Sequence, residues 1–148
     1  MRRAAVVLVG AFVVALTGLY GLSLVAAVHE VPTDSMEPTI EANSNIVVLT
    51  WGDHDDLEDE EIIVYRVNGD ESERLVVHRI VTYVDEGEDW VADLEDDSLT
   101  CEAAVYCPAP NDGYITQGDA TSTYDQERGL SRPVDSDWII GVYWRSVS

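Results

Sequence analysis

The chain has 148 residues, enough for one domain of ordinary size, and it is strongly acidic. It contains 29 Asp and Glu residues against 8 basic ones, which gives a formal net charge of −21. Such a polyanion repels phosphate backbones, so the composition argues against nucleic-acid binding. All eight basic residues are arginines, and the absence of lysine excludes any mechanism with a lysine base. An acidic, lysine-free chain indicates a high-salt habitat, because the Debye length falls to about 3 Å at 1 M salt.

The first predicted element is a membrane span. Residues 4–28 carry no charge and would form a helix about 37 Å long, enough to cross a hydrocarbon core of about 30 Å. A secretory signal has a shorter apolar region of about 7–15 residues, although residues 25–27 resemble a cleavage site. We therefore predict a retained anchor. The two arginines of residues 1–3 keep this short tail in the cytoplasm, which places residues 29–148 outside the cell membrane as one domain.

The remainder of the chain is predicted to be mainly β, because its apolar residues come in short runs with period two. The predicted strands cover residues 45–51, 61–67, 74–84, 114–117 and 138–147, with a short strand around Trp90 and Val91. No helix of four turns is expected outside the membrane. These elements predict a compact β-rich domain, built as a sandwich or a partly open barrel.

Cys101 and Cys107 are the only cysteines, with five residues between them. This spacing does not match a zinc pair, and no second pair of cysteine or histidine ligands is nearby, so no metal site is predicted. In an extracytoplasmic domain the two residues would form a local disulfide. Two free buried thiols are the alternative.

Ser35 is the first candidate for chemistry, because it lies shortly after the predicted span between Pro32 and Pro38. The two prolines restrict the backbone around the serine, which suits a fixed geometry. A serine hydroxyl is a poor nucleophile unless a base takes its proton. Residue type alone would make Ser35 a surface turn serine, so the prediction depends on finding that base.

His78 is the candidate base. Period two places Val76, His78 and Ile80 on one face of a strongly apolar strand and Arg79 on the other face. Burial favours the neutral imidazole, which is the form that a general base requires. The other two histidines lie at the predicted membrane edge and in an acidic loop. A core or edge histidine with no chemical role is the simpler alternative, and Arg79 is expected to be structural.

Two aspartates, Asp119 and Asp125, lie six residues apart in the loop after the strand at residues 114–117. Either carboxylate could accept a hydrogen bond from His78 and fix its tautomer. In a chain with 29 acidic residues, a solvated carboxylate is the alternative for each of them.

Taken together, the segment Ser35-Met36-Glu37-Pro38-Thr39, the segment Val77-His78-Arg79-Ile80-Val81 and the loop with Gly118-Asp119 and Asp125 resemble the type I signal peptidases. The chain is most similar to the archaeal and endoplasmic-reticulum branch, which uses histidine as its base. The bacterial branch uses a serine–lysine dyad, which a chain without lysine cannot form. The resemblance covers the whole chain except residues 85–112, which match poorly.

The resemblance implies a membrane-anchored serine endopeptidase that removes signal peptides from secreted preproteins by acyl-enzyme chemistry, without metal or cofactor. It implies Ser35 as nucleophile, His78 as general base, Asp125 as the triad carboxylate and Asp119 as a second important acid. Thr33 matches a hydroxyl position of the oxyanion hole. Met36 belongs to the same oxyanion and substrate-binding segment. The implied partners are preprotein signal peptides, the lipid bilayer and the secretion translocon.

Two departures from the family pattern support an alternative function. Asp34 precedes the nucleophile, where many relatives carry glycine, and its carboxylate would disfavour a nearby oxyanion unless it points to solvent. Ala120 follows Asp119, where asparagine is common. The alternatives are an inactive peptidase-like partner of an active copy and an extracellular binding domain.

Overall fold

The computed structural model describes residues 26–50, 52–94 and 97–147, and its regular elements are six β-strands and three short 3₁₀ turns. The strands are β1 (Ala26–Val31), β2 (Ser44–Leu49), β3 (Ile62–Arg66), β4 (Leu75–Val84), β5 (Gly113–Gln117) and β6 (Ile139–Val147). The 3₁₀ turns are Val67–Gly69, Cys101–Ala103 and Ser136–Trp138. The predicted mainly β class is confirmed.

The six strands form one sheet in the order β1-β2-β6-β3-β4-β5, and every pairing is antiparallel. The closing strand β6 therefore lies in the middle of the sheet, between β2 and β3. β3 and β4 pair with Ile63 opposite His78 and Tyr65 opposite Val76. β4 is longer than β5, which pairs with it only from Arg79 to Val84. Among the described residues, the first half of β4 (residues 75–78) therefore pairs with β3 on one side and with no strand on the other.

Both faces of β3 are covered, which explains why its sequence is a continuous apolar run rather than an alternating one. Ile62 and Val64 pack in one cluster with Val31 and Met36. Their neighbours Ile63 and Tyr65 point to the other face, where they pack in a second cluster with Val76, Ile80, Tyr114 and Val134. β3 therefore lies at the centre of the core, and its partner β4 carries His78 next to it.

Two predicted elements need correction. Residues 26–28 were predicted to end the membrane span but are the first residues of β1, which pairs with β2. Their small and apolar side chains continue the uncharged run of the predicted span, so composition alone did not reveal that a strand begins at residue 26. Trp90 and Val91 form a turn rather than a strand, and they are buried because they pack in a cluster with Ala104 and Ile115.

The rest of the span predicted at residues 4–28, namely residues 4–25, lies outside the described residues. None of the helices in residues 26–50, 52–94 and 97–147 has the length and hydrophobicity needed to cross a bilayer.

The segment between β4 and β5 is a long excursion closed by a disulfide between Cys101 and Cys107. It packs against the loop that follows β5, where the backbone N–H groups of Val105 and Tyr106 donate to the carbonyls of Glu127 and Gln126 at 3.0 and 3.1 Å. The Trp90 indole donates to the Tyr106 carbonyl at 2.8 Å, and its ring contacts Tyr124 edge to face. The excursion thus supports the segment on either side of Asp125.

Candidate active site

Ser35 lies in the turn between β1 and β2, and this turn is anchored in the core by its neighbour Met36. The Met36 side chain is completely buried and packs with Val31, Ile40 and Ile46. Its carbonyl accepts a hydrogen bond from the Ile40 N–H at 2.9 Å. The Met36 side chain therefore offers no exposed surface to a peptide, and the assignment of Met36 to the oxyanion and substrate-binding segment stays a prediction. Met36 fixes the turn that presents Ser35.

The structure brings Ser35 and His78 together. His78 lies on the buried face of β4 with only 3% of its surface exposed, and its Nε2 atom is 3.1 Å from Ser35 Oγ. Its Nδ1 atom is 2.6 Å from a carboxylate oxygen of Asp125. An ionised carboxylate only accepts hydrogen bonds, so the Nδ1 atom of the neutral ring carries the proton and Nε2 is left to accept one from Ser35.

Asp125 is the carboxylate that contacts His78. It is fully buried, and its Oδ2 atom accepts hydrogen bonds from His78 Nδ1, from Thr116 Oγ1 at 2.7 Å and from the Tyr65 hydroxyl at 2.9 Å. Its Oδ1 atom accepts from the Arg128 guanidinium at 3.0 Å. Burial on its own would raise the pKa of Asp125, but the hydrogen bonds and charge of His78, with those from Thr116 and Arg128, outweigh burial and lower it. Asp125 is therefore held as an anion beside the imidazole.

Asp119 lies on the opposite face of β4 and contacts Arg79 rather than His78. The Arg79 guanidinium donates to both carboxylate oxygens at 2.8 and 2.6 Å, and the Thr39 hydroxyl donates to one of them. These contacts connect the loop after β5 to the outer face of β4 and to the turn that carries Ser35. Hydrogen bonding from Arg79 lowers the pKa of Asp119 despite partial burial. Asp119 is thus placed to position the loop and the turn.

Gly118 packs directly against the two reacting side chains. A Cβ atom at this position would lie 2.6 Å from the Ser35 carbonyl oxygen and 2.9 Å from His78 Nε2, both closer than real Cβ contacts. Ala120, two residues after Gly118, donates its N–H to the same Ser35 carbonyl at 2.9 Å. Gly118 therefore leaves the space that the Ser35 carbonyl and the His78 ring occupy. Its neighbour Asp119 holds the loop to Arg79 on the other face of β4.

Thr33 and Asp34 flank the site in the exposed part of the turn. The Thr33 hydroxyl oxygen is 3.4 Å from Ser35 Oγ, at the outer limit of a hydrogen bond. The backbone carbonyl of Asp34 accepts the Glu37 N–H at 3.0 Å, while Asp34 itself is exposed to solvent. Solvent therefore screens the Asp34 carboxylate, which lessens its expected repulsion of an oxyanion.

A groove of about 550 Å³ opens beside Ser35 and His78. Its walls are residues 29–35 from the end of β1 and the following turn, residues 75–78 at the start of β4 with the preceding Arg74, and Val64, Ala120, Thr121, Arg128 and Leu130. Both bordering strands have an open side within the described residues, because β1 pairs only with β2 and residues 75–78 only with β3. An extended peptide in this groove would meet two strand edges.

The orientation of the β4 backbone supports this arrangement. The Ile80 N–H donates to the Glu61 carbonyl at 2.8 Å, so it points toward the β3 side. Backbone direction alternates along a strand, which turns the N–H and C=O groups of Leu75 and Val77 to the opposite side. The first half of β4 therefore offers main-chain donors and acceptors toward the groove.

Comparison with known proteins does not identify a family. No family model matches the chain, and no curated protein matches it in sequence.

Three contacts of Asp125 were not predicted from the sequence, namely those with Tyr65, Thr116 and Arg128. Tyr65 lies in an apolar strand and Thr116 in a short one, so neither has a pattern that indicates a polar contact. Arg128 does carry a weak signal, because arginine is scarce in this chain and lies three residues after Asp125. The sequence prediction of Ser35, His78 and one nearby aspartate gave the positions that the structure brings together.

Proposed function

We propose that the chain is a membrane-anchored serine endopeptidase of the type I signal peptidase kind, acting on secreted preproteins. The observation that carries the proposal is the Ser35–His78–Asp125 arrangement, with contacts of 3.1 and 2.6 Å, at one end of a groove bordered by strand edges. Nucleophile, base and orienting carboxylate in hydrogen-bond contact form the constellation needed for acyl transfer.

The reaction begins when His78 Nε2 takes the proton of Ser35 Oγ as the oxygen attacks the scissile carbonyl carbon. Asp125 keeps the proton on Nδ1 and stabilises the imidazolium that forms. The imidazolium then gives its proton to the departing amine, and the C–N bond breaks to leave an ester on Ser35. His78 next takes a proton from a water molecule as the water oxygen attacks the ester carbon. The imidazolium then returns this proton to Ser35 Oγ as the ester C–O bond breaks, which releases the new carboxyl end of the signal peptide.

The negative charge on the carbonyl oxygen in the transition state needs donors close to Ser35. The Thr33 hydroxyl, 3.4 Å from Ser35 Oγ, and the Ser35 backbone N–H are the donors that the proposal assigns to this oxygen. The exposed position of Asp34 is compatible with this assignment, because its carboxylate is solvated.

The substrate binds as an extended segment in the groove, where the edges of β1 and β4 align its main chain by strand pairing. The apolar residues 4–25 hold the enzyme in the bilayer, and the apolar signal segment of a preprotein lies in the same bilayer. Anchoring both partners raises their effective concentration and limits their relative orientation. In this arrangement residues 29–148 face the outer side of the cell membrane, next to the translocon.

The test is cleavage of a preprotein by the full chain in membranes. Ser35→Ala and His78→Ala should each lower the rate by at least about 10⁴-fold, because the triad acts as a unit. Ser72→Ala is the matched control, since Ser72 lies in the exposed turn before β4 and its hydroxyl donates to Asp70, away from Ser35 and His78. It should cleave at the rate of the unsubstituted chain.

Two results would contradict the proposal in different ways. Cleavage that survives unchanged in both Ser35→Ala and His78→Ala would exclude the triad as the source of activity. An intact chain that binds a signal peptide but never cleaves it would support the alternative, a peptidase-like binding domain.

A further inference from the structure

Tyr65 carries a hydroxyl group into the apolar core, which requires a partner for that group. The side chain is fully buried on β3 among Val67, Val76 and Ile139. A buried tyrosine hydroxyl without a hydrogen bond would destabilise the fold. This hydroxyl donates to Asp125 Oδ2 at 2.9 Å, so an apolar strand contacts the carboxylate that orients His78.

The donors around Asp125 come from different elements, and two of them also contact each other, since the Tyr65 hydroxyl lies 3.4 Å from Thr116 Oγ1. Tyr65 lies on β3, His78 on β4 and Thr116 on β5, and all three contact Oδ2. Arg128 contacts the other oxygen. A carboxylate held by a single donor can rotate about its Cβ–Cγ bond, whereas donors on both oxygens from separate elements remove that freedom.

We infer that Tyr65 is a positioning residue of the triad, whose hydroxyl holds Asp125 Oδ2 against His78 Nδ1. Tyr65 is fully buried and does not line the groove, so it acts through Asp125, directly and by way of Thr116. The inference rests on the proposed function, in which Asp125 orients the general base.

Tyr65 also keeps its proton, which a permanent donor must do. Burial raises the pKa of Tyr65 well above its ordinary value, and the negative charge of Asp125 raises it further. The phenol is therefore a neutral donor at every pH below the ordinary tyrosine pKa of about 10. Unlike Arg128, which is partly exposed, it holds the carboxylate without neutralising its charge.

The test is Tyr65→Phe in the full chain, which removes the hydroxyl and keeps the ring in the core. We expect kcat for preprotein cleavage to fall about tenfold while KM stays within about twofold, because the groove is unaffected. Tyr114→Phe is the matched control. Tyr114 is a buried tyrosine of the same core cluster, but its hydroxyl bonds to the His54 carbonyl and the Leu57 N–H, away from the triad. That variant should retain the kcat of the unsubstituted chain.

A second measurement does not depend on activity. The proton shared between His78 Nδ1 and Asp125 gives a low-field signal in the proton NMR spectrum, which should move in Tyr65→Phe and stay in place in Tyr114→Phe. If the intact chain cleaves no preprotein, the proposed function fails, while the NMR comparison still tests the contact. The inference is overturned if Tyr65→Phe keeps both the kcat and the low-field signal of the unsubstituted chain. It is also overturned if Tyr114→Phe loses as much activity as Tyr65→Phe.

Discussion

His78 and Arg79 are neighbours on β4, yet they point to opposite faces and contact two different aspartates of the loop after β5. The inner pair, His78 and Asp125, is almost completely buried, with side chains that are 4% and 0% exposed. In the outer pair, the side chains of Arg79 and Asp119 are 26% and 15% exposed. The inner pair also reaches Ser35, whereas the outer pair reaches Thr39.

The inner pair is suited to proton transfer, whereas the outer pair is suited to holding the loop in position. A neutral imidazole beside a buried anion can accept and return a proton, whereas an arginine stays charged and only holds its partner in place. Successive residues of a strand point to opposite faces, so His78 and Arg79 contact the loop after β5 from the two faces of β4. We therefore expect changes on the inner face to act on the rate and changes on the outer face to act mainly on stability.

The largest effect should come from Asp125→Asn. The Asn amide group can donate where the carboxylate could only accept, which favours the wrong tautomer of His78, so kcat should fall about 10⁴-fold with the fold intact. Asp119→Asn is the matched change on the outer face and should lose only about tenfold, since geometry rather than proton transfer is disturbed. Steady-state cleavage rates measure both. Equal losses in the two variants would contradict the separation of roles.

Gly118→Ala should have the second largest effect, because Gly118 contacts the inner site and Asp119 follows it directly. The added methyl group would displace either the Ser35 carbonyl or the His78 ring, which lie 2.6 and 2.9 Å from its position. A shift of about 1 Å at a reacting group costs about 10²-fold, so a loss of that size in kcat is expected.

The control is Gly87→Ala, at a turn glycine with φ of +86° and nothing within 4 Å of the added Cβ atom. It should lower stability through backbone strain and leave kcat unchanged. If Gly118→Ala retains full activity, the added methyl group does not displace Ser35 or His78, and the prediction is wrong.

The strand that carries His78 could be predicted from a local pattern, whereas the roles of Ser35 and His78 were implied by the resemblance to type I signal peptidases. The prolines around Ser35 and the alternation of Val76, His78 and Ile80 are visible in the sequence itself. The choice between Asp119 and Asp125 could not be made in this way. It depends on the loop turning back onto β5, where the Asp125 N–H donates to the Thr116 carbonyl at 2.9 Å.

The parts that sequence patterns missed depend on contacts between distant residues. Residues 26–28 continue an uncharged run, so only their pairing with β2 identifies them as strand. The excursion with Cys101 and Cys107 has no periodic pattern, and its position is fixed by backbone contacts with residues 126 and 127. Tyr65 looks like any aromatic residue of a buried strand until its hydroxyl is placed beside Asp125.

The smallest predicted effect concerns the pH dependence of stability from the outer pair. The pKa of Asp119 is lowered in the folded chain by Arg79, so the pair stabilises the fold above the unfolded pKa of about 3.9. This stabilisation is lost as the pH falls through the lower folded value. For a partly exposed pair it should be about 1 kcal/mol, or about 3 °C in Tm.

Thermal unfolding of Asp119→Asn beside the unsubstituted chain isolates this contribution, since Asp125 titrates in both. The Tm gap should be largest at pH 7 and should close as the pH falls below about 4. Salt at 1 M should narrow the gap at pH 7, because it screens the exposed side of the pair. A gap that stays constant from pH 7 to pH 3 would mean that Asp119 stabilises the fold without its charge.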